Sequence, residues 1–165
     1  YNTDYGLKEG REAEKIFYFY PSSEKIERQV RLAGFCAGVV KFSETFKSTK
    51  PCESVHTEKT RMIFYRIDEK FWMIMSLKVP QSSQTKEYEN DQVSDEIYLS
   101  ILNQIYSTYK LFNGNMSDNL SKLGHLKLKE DLKLYFDDYI EKKLNVQDSN
   151  IMNTFNGIQF MSLDR

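Results

Sequence analysis

Residues 32–42 read LAGFCAGVVKF, and ten of the eleven are apolar or glycine. They lie inside a stretch with helical recurrence that runs from a Ser22 or Ser23 cap to about Phe46. A helix packed on one side of a small domain needs only one apolar stripe. This one has two. Ile26, Val30, Ala33, Ala37 and Val40 form one line, and Leu32, Phe35, Cys36, Val39, Phe42 and Phe46 form the other. Bulky side chains gain most from burial, so the aromatic line is expected to fill the domain's own core. The small line, with Gly34 and Gly38 beside it, would then leave an apolar patch for another protein, or a loop of the same chain, to cover. The first expectation is therefore a partner-binding domain.

Composition narrows the remaining classes. A chain of 165 residues, 40% hydrophobic and 28% charged, is long enough and apolar enough for one ordered core. The net charge of −1 comes from interspersed acids and bases. That is not the basic face a nucleic acid requires. No apolar run reaches the ~20 residues of a membrane span. Cys36 and Cys52 suit a reduced compartment, with Cys36 as a core residue. The chain starts at Tyr1 without Met and ends just past IQFMSL. Residues 1–165 are expected to form a single domain of a longer polypeptide.

Around the first helix, residues 1–5 and KIFYFY at 15–20 read as strands, the second apolar on both faces. CESVHTE at 52–58 reads as an edge strand. RMIFYRI at 61–67 and FWMIMSLKV at 71–79 form a hairpin turning at Asp68-Glu69-Lys70. A polar loop follows over 80–92. A second helix spans about 92–112, with Val93, Ile97, Ile101, Ile105, Tyr109 and Phe112 inward and Asn113-Gly114 as its stop. A third covers about 127–144, with Leu128, Leu132, Tyr135, Phe136 and Tyr139 inward. Residues 157–163 look extended. The fold class is α+β in three layers: a five-stranded, mainly antiparallel sheet with one helix on one face and two on the other.

No motif supplies an active site. The glycines fit neither a phosphate-binding loop nor a dinucleotide fingerprint. His56 and His125 read as surface histidines without the spacing of metal ligands, and a Cys52–His56 pair would still lack two ligands. No nucleophile elbow is present. The sequons at Asn115 and Asn119 read as chance matches. No metal, cofactor or catalytic side chain is expected.

Six ordered stretches carry a resemblance: KIFYFYP at 15–21, FCAGVVKFSETF at 35–46, SVHTEKTR at 54–61, FWMIMSLKVP at 71–80, IYSTYKLFNG at 105–114 and FNGIQFMSLD at 155–164. Together they resemble a longin domain, in particular the first longin domain of the Ccz-type subunits of Mon–Ccz guanine-nucleotide exchange factors. Segments 81–91 and 115–127 match that pattern poorly.

The resemblance implies a heterodimer. The first longin domains of a Ccz-type and a Mon-type subunit pair through edge strands and first helices. Their joint platform would bind a late-endosomal Rab-seven-type GTPase and release GDP by favouring the nucleotide-free state. The setting implied is the cytoplasm, with peripheral attachment to late endosome, lysosome or vacuole membranes, and a role in vacuole fusion and autophagy. Mapped onto this sequence, the interface comprises Val30, Ala33, Gly34, Ala37, Val40 and Lys41 of the first helix, and Glu53, Ser54, Val55, His56, Thr57 and Glu58 of the edge strand. The alternatives are a non-catalytic longin adaptor for a SNARE or coat protein, and a PAS- or profilin-like sensor with a polar-lined cavity.

Overall fold

The computed structural model describes residues 1–46, 51–79 and 94–143. The expected loop at 80–92, Val93 and the extended stretch at 157–163 lie outside the described residues.

The architecture is built outward from the hairpin. β2 (Thr60–Arg66) and β3 (Trp72–Lys78) pair antiparallel from Thr60↔Lys78 to Arg66↔Trp72. Asp68 closes the turn, its Oδ1 accepting the Lys70 and Phe71 N–H groups at 2.8 Å each. This is the Asx geometry that makes aspartate a turn former. β1 (Ser54–His56) pairs antiparallel with the other side of β2, so the order is β1-β2-β3 with β1 at an edge.

Side-chain alternation along the strands divides the core into two clusters. Met62, Phe64 and Trp72 gather with Cys36 and Val40 of α1 (Ile26–Glu44). Phe71 gathers with Ile101, Ile105, Tyr106 and Tyr109 of α2 (Asp95–Asn113), and with Met116, Leu128, Leu132 and Phe136 of α3 (Met116–Lys143). Met73 and Met75 pack against this second cluster, and Ile74 against the first, as a period of two requires. Gly114, at φ 83°, ends α2 where the sequence placed the stop.

Several expectations need correction. Five strands were anticipated, and the described residues form three. Segments 1–3 and 15–17 lie where two more strands would go, but no ladder develops. Asn2 makes a single antiparallel bridge with Phe71, and its N–H donates to the Lys15 carbonyl at 2.9 Å. Gly6 then turns the chain at φ 65°, in a space where a Cβ would come within 2.9 Å of the Glu12 carbonyl. A 3-10 turn over Glu12–Lys15 uses the local backbone groups just before Ile16. Ile16 and Phe17 are nonetheless buried. The apolar run reported burial, and burial does not require strand pairing.

Neither Ser22 nor Ser23 caps α1. The Glu24 N–H donates to the Pro21 carbonyl, which places both serines in a turn, and Lys25 takes the cap position without a side-chain bond. Phe112 is 75% exposed, because the chain turns at Gly114 and Met116 enters the cluster instead. α3 begins eleven residues earlier than expected and is interrupted at Gly124, whose φ of 77° is non-helical. His125 is no free surface histidine. Its ring stacks on Tyr5 at 4.6 Å and meets Phe17 edge-on, while Nε2 donates to the Glu14 carbonyl at 2.9 Å.

Candidate interaction surface

The inward face of α1 draws on both lines: Leu32, Cys36 and Val39 of the bulky line pack there as expected, Val40 of the small line joins them, and the phenylalanines of the bulky line do not. Cys36 is 1% exposed and Val40 4% exposed, whereas Phe35, Phe42 and Phe46 are 48%, 65% and 68% exposed. The reason is volume. Met62, Phe64 and Trp72 already fill the space beneath the helix. A second row of aromatics there would overpack it, so the narrow side chains of Cys36 and Val40 face in. Val40 is therefore a core residue and is withdrawn from the candidate interface. Val30, Ala33 and Ala37 are half-buried on the flanks, and Gly34 and Lys41 are exposed.

The outward side of α1 carries Arg31, Phe35, Lys41 and Phe42, with Phe46 in the turn just past its end. The Phe42 and Phe46 rings touch edge-to-face at 4.9 Å. A Cβ added at Gly34 or Gly38 would meet nothing within 4 Å, so both glycines lie open on this side. Exposed aromatics beside cations and bare backbone suit protein recognition better than solvation.

The edge strand adjoins this helix, since Val55 and Cys52 pack against the Cys36–Val40 cluster. Ser54 is half-buried, while Glu53, His56, Thr57 and Glu58 are exposed. Phe64 N–H donates to the Glu53 carbonyl, and Thr57 N–H to the Thr60 carbonyl, both at 2.8 Å. Antiparallel alternation then directs the backbone groups of Ser54 and His56 away from β2. Among the described residues, no strand pairs with that outer edge.

No spacing pattern reveals what holds this strand from behind. Asp95, in the first turn of α2, accepts from His56 Nε2 at 2.7 Å and pairs with Arg61 Nε at 3.4 Å. Burial alone would raise the Asp95 carboxyl, but hydrogen bonds from Ser54 and His56, with the charges of His56 and Arg61, hold it below its ordinary value. His56 must carry its proton on Nε2 to make this bond. The residues come from three elements, so no spacing rule could have collected them.

Burial pushes the Cys36 thiol up to about 11 and raises that of Cys52, the opposite of an activated nucleophile. Among the described residues, no three His, Cys, Asp or Glu side chains gather to hold a metal. An open depression of about 490 Å³ lies on α3 around Asp131, Tyr135 and Tyr139, and no strand residue lines it. No described helix is long and apolar enough to cross a membrane.

Known proteins give this surface a context. Residues 1–114 match the family of first longin domains of INTU, CCZ1 and HPS4. The chain belongs to this family. It is 40% identical over 172 residues to the vacuolar fusion protein CCZ1 homolog of Nematostella vectensis, covering all of this chain and 37% of that protein. The homolog of Xenopus tropicalis is 36% identical over 172 residues, again across the whole chain and 36% of its own length. That of Dictyostelium discoideum is 30% identical over 169 residues, with 38% of its length covered. The chain thus spans little more than a third of these relatives. As a longin domain it is a mixed α+β fold, here with a three-stranded antiparallel sheet and three helices.

Proposed function

We propose that this chain is the first longin domain of a Ccz-type subunit, which joins a Mon-type longin domain to form a guanine-nucleotide exchange factor for a Rab-seven-type GTPase. The work would be done in vacuole fusion and related late-endosomal, lysosomal and autophagic traffic, on membranes reached through the complex. The observation that carries this reading is the match to CCZ1 homologs along the entire chain, all of them called vacuolar fusion proteins.

The surface supports it physically. An open strand edge can extend a partner's sheet through main-chain hydrogen bonds. The exposed ridge of Phe35, Phe42 and Phe46 beside that edge offers aromatic anchors of the kind that dominate interface energies. Exchange needs no acid, base or nucleophile from this chain. It needs a platform that binds the nucleotide-free GTPase more tightly than the GDP-bound one, so that binding energy opens the nucleotide site.

The experiment is release of fluorescent GDP from a Rab-seven GTPase, with the full-length Ccz-type polypeptide, the Mon-type subunit, and both together. Acceleration by the pair alone is expected. A stable pair that leaves GDP release unchanged would overturn the reading in favour of a longin adaptor.

A further inference from the structure

β1 is only three residues long, and among the described residues β2 alone pairs with it. A strand that short forms few ladder bonds and frays readily unless side chains fasten it. Here they do. Ser54 and His56 stand at the two ends of β1: His56 Nε2 donates to Asp95 Oδ2 at 2.7 Å, and the Ser54 hydroxyl lies near enough to help hold that carboxyl below its ordinary value. Arg61, directly opposite His56 in register, reaches the same carboxylate from β2. Asp95 itself is fixed by position, following the Ser94 cap whose hydroxyl accepts the Glu96 N–H. One carboxylate thus ties the edge strand, the central strand and the start of α2 together. All three tied side chains lie on the opposite side of the sheet from Val55, leaving the outer backbone rim clear of them.

From this arrangement we infer that Asp95 is a positioning residue for partner binding: it holds β1 extended, with its outer backbone groups aligned to receive a strand of the partner longin subunit. The inference rests on the exchange-factor reading above. Its physical basis is preorganisation. A strand already straight and immobile loses little freedom on docking, whereas a frayed one must be ordered at the expense of binding energy. Asp95 touches neither the GTPase nor the partner in this account, and acts only through Ser54 and His56.

The test uses the full-length polypeptide and the Mon-type subunit, with three variants. Asp95→Ala releases the strand. Ser54→Ala combined with His56→Ala releases it from the other end and leaves the Asp95–Arg61 pair intact. Glu96→Ala is the control, because it removes the neighbouring first-turn acid without touching β1. Both releasing variants are expected to raise the Kd for the Mon-type subunit about tenfold, the weight of ordering a few side chains and a short strand afresh. Backbone amides of Val55 and Thr57 should exchange faster in the free polypeptide. For Asp95→Ala the maximal rate of GDP release, reached once the partner is saturating, should stay unchanged, and Glu96→Ala should bind as the unaltered protein does. A general loss of structure would lower that maximal rate, so it is distinguishable. An unchanged Kd with unchanged amide exchange in both releasing variants would overturn the inference and leave the exchange-factor reading standing. If the unaltered polypeptide itself failed to bind the Mon-type subunit, both would fall.

Discussion

The cluster beneath α1 and the cluster shared by α2 and α3 are built on opposite plans. In the second, aromatic rings face inward and meet one another: Tyr109 stacks on Phe136 at 5.7 Å, and Phe17 meets Phe71 edge-on at 5.0 Å. Leu128 and Leu132 are almost completely enclosed beside them. In the first, the helix contributes only Cys36 and Val40 to the fully buried set, and its phenylalanines face outward. The difference teaches that large apolar residues do not mark the same thing in both places. Around α2 and α3 they hold the fold together. On α1 the sheet supplies the bulk, and the helix leaves its aromatics exposed.

The largest effect expected from this contrast is on stability. Phe136→Ala should lower the unfolding free energy by about 3–5 kcal/mol, the usual result of emptying an aromatic site in a packed core. Denaturant unfolding measures it, and a loss under ~1 kcal/mol would mean that the second cluster is not the main core.

On α1 the pattern should reverse. Phe35→Ala together with Phe42→Ala should leave stability within about 0.5 kcal/mol per site. The same pair should weaken assembly or GTPase binding by about 2 kcal/mol, roughly thirtyfold, as loss of aromatic anchors does. Titration of GDP release against the concentration of the pair reads this directly. Normal exchange in the double variant would strip the ridge of its proposed role.

Reactivity offers a smaller but sharper contrast within the α1 cluster. With its thiol pushed up to about 11, Cys36 holds roughly one thiolate in a thousand at pH 8 and is enclosed as well. Cys52 is only half-buried. Alkylation followed by peptide mass mapping should modify Cys52 well before Cys36, and equal rates would show that α1 lifts readily from the sheet. The sign for stability follows from linkage. The folded thiol stays protonated above the unfolded value of about 8.5, so Cys36 costs stability as pH rises from there toward 11.

The least effect is expected in acid. The folded Asp95 carboxyl lies below its ordinary value, so its stabilisation is complete above the unfolded pKa of about 3.9 and fades as pH falls below it. Asp95→Asn should flatten that part of the acid unfolding curve and leave stability between pH 7 and 8.5 with no added pH dependence. An unaltered acid limb would mean that the carboxylate's partners do not favour its charge.

Legibility followed locality. The hairpin was readable because β2 and β3 have strand-like runs on either side of an Asp-led turn, and the turn bonds stay within three residues. The second helix was readable because Ile101, Ile105 and Tyr109 repeat at four-residue steps before a glycine stop. The edge position of β1 was readable from its polar residues. The helix at 116–123 was not, since Met116 is its only buried residue and a weak apolar pattern gives periodicity little to report. Of the candidate surface, Gly34, Lys41, Glu53, His56, Thr57 and Glu58 are exposed and Val40 is buried, while Phe35, Phe42 and Phe46, which the pattern assigns to the core, are exposed.

The sequence by itself determined the α+β class, the antiparallel hairpin, the register of α2 and the two apolar lines of α1, because each is a repeat written in neighbouring residues. Only the tertiary structure decided that residues from both lines, Cys36 and Val40, turn inward, that Ile16 and Phe17 are buried without joining a ladder, and that Asp95 gathers Ser54, His56 and Arg61. Those outcomes depend on volumes and hydrogen-bond partners supplied by distant segments. Trp72 is 36 residues from the Cys36 it covers, and Asp95 is 39 residues from His56. A periodic pattern marks a surface as apolar, and what already fills the space opposite decides whether that surface is core or interface.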